Sequence, residues 1–408
     1  MGGRHTHRAD GRAQEEFEVH RGPRTVLLGA LAVALIATIV GAVLVWPDRE
    51  RSSELDEEVT FLAEGVTFVG AVVDEVQPAC PSLNEPSDDC GQIRATVGSG
   101  DDAEEVTVPV PPEVSEAGLA PGDELRMLRI PGVDGQPVRY SFFGVERSSP
   151  LLLLTLLFVA VVVVVARWRG VRALLGLGFS GIAVLWFMLP ALVSGESGLW
   201  VGLVGSALIV FVVLYTTHGF SIRTSAAVAG TLAGLAMTAV LGLVAVAVTH
   251  VTGVTDESGG ILRALVGDLD FRGLLTCAVI VAGLGVLNDV TITQASAVWE
   301  LRGAGPELTR RQLFAAGTQI GRDHIASTIY TIVFVYAGAT LSTLMLLQLY
   351  GLPLTELLAT EEMGQEVVRT LASATALVLA VPVTTGIAAL TVPGPRRRED
   401  EGVSPPGR

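Results

Sequence analysis

The sequence predicts a polytopic α-helical membrane protein of eight spans, with a small β-rich, OB-like barrel domain inserted after the first span. Three observations carry that reading. Half of the 408 residues are hydrophobic and only 17% are charged, a balance seldom met in soluble globular chains. Uncharged apolar runs recur, such as LLLLTLLFVAVVVVVA at 151–166, and they approach the ~20 residues needed to cross a bilayer. One acidic, turn-rich segment interrupts them. It holds 22 of the 42 acidic residues but only 7 of the 27 basic ones between Pro47 and Pro150, so it carries the whole formal charge of −15.

Residues 1–24 are polar and Arg-rich, with His5, His7 and His20. They read as a flexible cytoplasmic tail and not as a metal site. Residues 25–46 form the first span, and no small-x-small cleavage site follows it, so it is expected to remain as an anchor. The segment 47–150 is domain-sized. Its apolar and polar residues alternate in VTFVGAVVDEV, GQIRATV, EEVTVPV, DELRMLRI and VRYSFFGV, with turn-rich PSLNEPSDDCG and GSGDD between. Five short strands so spaced predict a small barrel or sandwich, and the Pro-Gly turn of APGDELRML favours the OB-like kind. Asp101–Asp102 and Glu104–Glu105 lack the spacing of a calcium loop and read as a solvated face. Cys80 and Cys90 are expected to form a disulfide if the domain lies outside the cell, while Cys277 falls in a span.

Residues 151–392 are expected to hold seven further spans, near 151–166, 173–192, 198–217, 225–249, 273–298, 326–349 and 368–391, before a second cytoplasmic tail at 393–408. Orientation follows from the arginines. One set of connections holds the tails, Arg167, Arg169, Arg172, Arg223, Arg302, Arg310, Arg311 and Arg322; the opposite set holds the acidic domain, Glu196, Asp256 and Glu257 with Arg263 and Arg272, which oppose the rule there, and Glu356, Glu361 and Glu362. Both termini are therefore expected in the cytoplasm and the β-domain outside. All 27 basic residues are Arg, a composition common in high-GC bacteria. The expected location is a bacterial plasma membrane.

The stretch GLGVLNDVTITQASAVWEL, 283–301, lies inside a span yet carries a carboxylate. An ionisable group in hydrocarbon is costly and faces protein, water or a partner. Helical spacing groups Asp289, Thr293, Ser296 and Glu300 on one face. The Gly283-Leu284-Gly285 run is expected to loosen this helix, and Pro382, followed by Thr384 and Thr385, to break the last span at a similar depth. Two interrupted spans at matching depth point to a transporter site. The candidate ion or solute ligands are Asp289, Asn288, Thr293, Ser296, Thr384 and Thr385. Arg322-Asp323-His324 stand at the cytoplasmic mouth of the next helix; Arg322, paired with Asp289 or Glu300, is a candidate gate there, and Asp323 belongs to that gate or caps the helix. The preceding PELTRRQLFAAGTQIG, with Pro306 as first helical residue, is expected to lie on the membrane surface. The structural alternative is a buried Asp289, satisfied by Arg322 or hydroxyls and serving only packing.

The order of elements, the join FFGVERSSPLLLL to RWRGVRALLGL, GLGVLNDVTITQASAVWEL and GTQIGRDHIASTIYTIVFVYAGA together resemble the YibE/F family of bacterial multi-pass membrane proteins. The resemblance covers roughly 60–392 and is most specific over 283–342. It implies an architecture and not a reaction. Enzyme classes are disfavoured: Gly178-Phe179-Ser180-Gly181 matches an intramembrane serine pattern by four common residues, and no zinc motif, P-loop or GxSxG is present. No cofactor is implied, and nucleic-acid binding lacks its basic face. The expected function is an ion-coupled secondary transporter or permease for a small solute or ion. The rival is a membrane scaffold or sensor whose outer β-domain binds a partner protein, and a homo-oligomer is compatible with either.

Overall fold

The computed structural model describes residues 21–48, 50–51, 65–80, 90–98, 100, 103–132, 136–254, 257–267 and 269–395. The His5/His7 pair, Asp101–Asp102 and the last tail arginines lie outside these residues. The chain divides into two compact units, 54–170 and the remainder.

The smaller unit holds five antiparallel strands: β1 (Thr67–Val76), β2 (Gln92–Val97), β3 (Glu104–Pro109), β4 (Glu124–Ile130) and β5 (Arg139–Val145). They line up in the order β3-β2-β1-β4-β5. Alternation decides the faces: Ala71, Val73, Ile93, Ala95, Val108, Leu125 and Met127 turn into one core, while the residues between them stay at the surface. A short helix α2 (Pro112–Ser115) joins β3 to β4. The sheet curls into a half-barrel, and Tyr140 Oη on β5 donates to Glu104 Oε2 on β3 at 2.8 Å, bringing its two edges together without backbone pairing. Cys80 and Cys90 are joined to each other. The five expected strands are all present.

Helix α1 (Arg21–Leu44) precedes this unit, and α3 (Ser148–Val193) begins within it, after β5. α3 is 46 residues long, where two spans were expected. Arg167 interrupts it with φ 53° and ψ −134°, a conformation that no α-helix contains. Past this break the chain turns back, for Gly170 lies against the carbonyl of Val162 with no room for a Cβ. A π-helical turn at Val184–Met188 accommodates Pro190, which has no N–H to give the ladder.

The bundle continues with α4 (Gly198–His218), α5 (Ile222–Thr249), short α6 (Glu257–Leu265), α7 (Phe271–Ala304), α8 (Arg310–Ala339), α9 (Leu341–Leu349), α10 (Leu354–Ala359) and α11 (Glu361–Thr391). α5, α7 and α11 pack mutually at its centre, with α4 and α8 against them. Small residues make this approach possible. A Cβ on Gly230 of α5 would collide with the Thr384 side chain of α11, and one on Gly321 of α8 with Val381. Among the described residues six helices are long and apolar enough to cross a membrane, or seven if α8 and α9, bent by 66°, form one span.

Three expectations about the helices are corrected. α7 runs unbroken through Gly283-Leu284-Gly285, and α11 runs unbroken through Pro382. Gly283 packs against Thr238, and half-buried Pro382 stands between buried Val381 and exposed Val383. The 306–320 piece is no surface helix, because it is the first half of α8. Thr309 and Gln312 form a reciprocal capping box at its start, Leu313 and Gly317 are buried in the bundle, and Pro306 lies in the preceding turn.

Candidate functional site

The site is built on α7, whose two faces differ in chemistry. Its inner face buries Leu287, Val290, Thr291, Gln294, Ala295 and Val298. Polar groups on that face are tied up by neighbouring helices. Thr291 and Thr231 of α5 share a hydrogen bond of 2.6 Å. Gln294 Nε2 donates to the Gly317 carbonyl of α8 at 2.6 Å and to Thr385 Oγ1 of α11 at 2.7 Å, and Thr385 in turn donates to the Val381 carbonyl. This junction pins three helices together with bonds that have no competition from water.

The outer face carries Gly285, Asp289, Thr293 and Glu300, all exposed, and half-buried Ser296. The Asp289 side chain is 73% exposed although it stands near the middle of α7. Its Oδ2 lies 3.8 Å from Nε2 of His324, which stands near the middle of α8. That is an ion-pair distance and too long for a hydrogen bond. The depths agree. At 1.5 Å per residue Asp289 is about 22 Å from the Ala304 end of α7, and His324 about 21 Å from the Arg310 end of α8. The two helices form a hairpin, so both groups reach one level. Its turn is closed by Arg302, almost fully buried, which donates to the carbonyls of Pro306 and Leu308.

The expected ligands divide between these two faces. Asp289, Thr293 and Ser296 share the outer side as their spacing predicts. Thr384 and Thr385 do not join them: both are fully buried, Thr385 within the Gln294 junction and Thr384 against Gly230. Asn288 is half-buried, and its Oδ1 has no hydrogen-bond partner among the described residues. The gate is corrected as well. Arg322 pairs with neither expected carboxylate; its Nη1 contacts Gln319 at 3.4 Å, on its own helix. Glu300 faces Arg223 at 4.0 Å. Asp323 lies in mid-helix and caps nothing, since Thr309 is the cap. The residue that meets Asp289 is His324, which the sequence reading places at the helix mouth because it starts that span at 326 instead of 310.

Such an arrangement can bind a proton or a cation. Asp289 supplies a carboxylate, Thr293 and Ser296 supply hydroxyl oxygens along the same helix, and His324 supplies an imidazole that either repels a cation or exchanges a proton. A separate cleft of about 710 Å³ opens between α1, α4 and the start of α5, lined by Arg24, Leu31, Phe211, Tyr215 and Phe220. It takes in none of the α7 outer face.

Comparison with known proteins gives one result. A model of the family described as YibE/F-like protein matches residues 154–394, which take in every helix of this site. No curated protein and no solved structure matches the chain.

Proposed function

The chain belongs to the YibE/F-like family, the one its motifs resemble, and from that premise we propose that it is an ion-coupled secondary transporter taking up a proton or cation at Asp289. The observation that carries this is the exposure of that carboxylate halfway along a membrane-length helix. A scaffold has reason to bury and seal such a group. Lipid against it costs several kcal/mol. A face left open, with hydroxyls beside the carboxylate and a histidine opposite, is what a hydrated path needs. The cargo is a small solute or ion.

The topology we propose has eight spans, both termini in the cytoplasm of a bacterium and the β-domain outside. The turn at Arg167 supports counting α3 twice, and the α8–α9 bend supports counting that pair once. For the outer domain we propose an OB-like barrel. Strand order β3-β2-β1-β4-β5, the helix between β3 and β4 and the Tyr140–Glu104 bond across the gap support it.

Carbodiimide labelling tests the site. Protein in lipid nanodiscs is treated with a hydrophobic carbodiimide and mapped by peptide mass spectrometry. Asp289 should be modified. An Asp289 that stays unlabelled throughout, while other carboxylates react, contradicts the proposal.

A further inference from the structure

We propose that the cleft between α1, α4 and the start of α5 holds an acyl chain of an anionic phospholipid, with the lipid phosphate on Arg24. The inference rests on these three helices crossing the bilayer and is independent of the transport reading.

Three helix ends set the level of the cleft. The stretches Gly22–Leu44, Gly198–His218 and Ile222–Thr249 are each long and apolar enough to span by themselves. Their matching ends supply the mouth: Arg24 stands in the first turn of α1, Thr216 in the last turn of α4, and Ser221 caps α5. The mouth therefore lies at one membrane edge. Tyr215 lines it there, as amphipathic aromatic rings do at headgroup level. At about 1.5 Å per residue Leu35, the deepest lining residue of α1, lies about 16 Å beyond Arg24. Half of a ~30 Å hydrocarbon core is ~15 Å, so the cleft runs the depth of one leaflet.

Its chemistry is divided along that depth. Leu28, Leu31 and Leu35 recur on one face of α1 and share the inner part with Phe211 and Val212 of α4. The polar lining gathers at the mouth, where the hydroxyls are already used within the chain. Tyr215 Oη and Ser225 Oγ share a hydrogen bond of 3.0 Å, the Thr224 N–H donates to Ser221 Oγ at 3.1 Å, and Thr216 donates to the Val212 carbonyl. The Tyr215 ring also stacks on Phe220, with centroids 4.7 Å apart, so this wall stands ready before a ligand arrives. Arg24 differs. It is the one charged residue of the lining, it is exposed, and its guanidinium has no partner among the described residues.

These features together name the occupant. An apolar trough one leaflet deep suits a hydrocarbon chain lying along the membrane normal. A guanidinium at its mouth, with no carboxylate in the lining to answer it, takes an anion there, and its fork matches phosphate oxygens. A phospholipid carries both groups in that order. A net negative head group is favoured over a zwitterionic one, whose ammonium offsets the phosphate.

The test uses full-length protein in detergent, stripped of co-purified lipid. It is titrated with phosphatidylglycerol or with phosphatidylcholine of the same chains, and binding is read by native mass spectrometry. The first phosphatidylglycerol should bind at least about fivefold more tightly than phosphatidylcholine, the worth of one arginine at an anionic membrane surface. Arg24→Gln should abolish that preference. Arg172→Gln, at an exposed arginine outside the cleft lining, should keep it. Ala32→Trp and Leu28→Trp fill the trough from exposed positions, and each should remove the tight first site for either lipid. Equal binding of the two lipids by the native chain, a preference that survives Arg24→Gln or is lost as fully in Arg172→Gln, or native affinity for phosphatidylglycerol in both tryptophan variants would each overturn the proposal.

Discussion

Asp289→Asn distinguishes a hydrated face from a lipid-facing one by the sign and size of its effect on stability. The substitution keeps the shape of the side chain and removes its charge. What is lost from the fold is one charge-bearing contact, at 3.8 Å, to a histidine that is itself partly exposed. In water-like surroundings a pair of this kind contributes less than about 1 kcal/mol. If hydrocarbon lay against Asp289, the charge would instead cost about 2.5–3.5 kcal/mol, and removing it would recover most of that. The account therefore predicts that Asp289→Asn changes stability by no more than about 1 kcal/mol, leaves abundance and insertion normal, and abolishes ion movement. Stability is read by reversible unfolding in bicelles, and movement by an encapsulated dye in proteoliposomes under an imposed proton or sodium gradient. A gain of more than about 2 kcal/mol would place lipid at Asp289 and refute the reasoning. Unimpaired flux would refute it from the other side.

Gln294→Leu should behave oppositely. It removes two interhelical bonds from a sealed junction, each worth about 0.6–1.7 kcal/mol in membranes, so unfolding in bicelles should show a loss of roughly 1–3 kcal/mol; an unchanged midpoint contradicts the junction. Gly230→Val should do more damage, because the new side chain meets Thr384 inside the α5–α11 contact; wild-type amounts of monodisperse protein would argue against that packing. In the β-domain, the hydrogen bond from Tyr140 to Glu104, followed by burial, raises the phenol above its ordinary value of 10.0. A raised folded-state value means that this contribution is complete below the unfolded value and fades as pH climbs through the folded one. The domain should therefore lose stability above about pH 10, and Tyr140→Phe should remove that portion of the pH dependence; an identical alkaline profile in the variant refutes the link.

Much of this architecture is legible in the residues. The strands announce themselves through alternation, since one face of the half-barrel is buried and the other is not. The face containing Asp289 and Thr293 follows from helical spacing alone. What the residues do not reveal is depth and company. Glycine and proline in α7 and α11 suggest broken spans, because locally each weakens a helix. In the bundle α7 continues through both glycines, with Gly283 packed against Thr238 and Gly285 open, and α11 continues through Pro382. Thr385 resembles an ion ligand for the same reason: a lone hydroxyl in a span. Its partner Gln294 is 91 residues away in sequence. His324 is misplaced because TQIGRDHIAS is polar enough to read as a connection, whereas its capping box at Thr309 starts the helix four turns earlier. That signal, Thr-x-x-Gln at 309–312, is present in the chain and outweighs hydropathy here.

The central claim is that water reaches the outer face of α7 in mid-membrane. Thr293→Cys tests it most directly, with Thr291→Cys as the control, since Thr293 is exposed beside Asp289 and Thr291 is fully buried against Thr231. Each variant is placed in nanodiscs and treated with a charged, membrane-impermeant methanethiosulfonate reagent, and modification is followed by intact mass. The account predicts rapid modification at Thr293→Cys and none at Thr291→Cys. If Thr293→Cys reacts no faster than the buried control, no aqueous path reaches Asp289 and the transport reading falls.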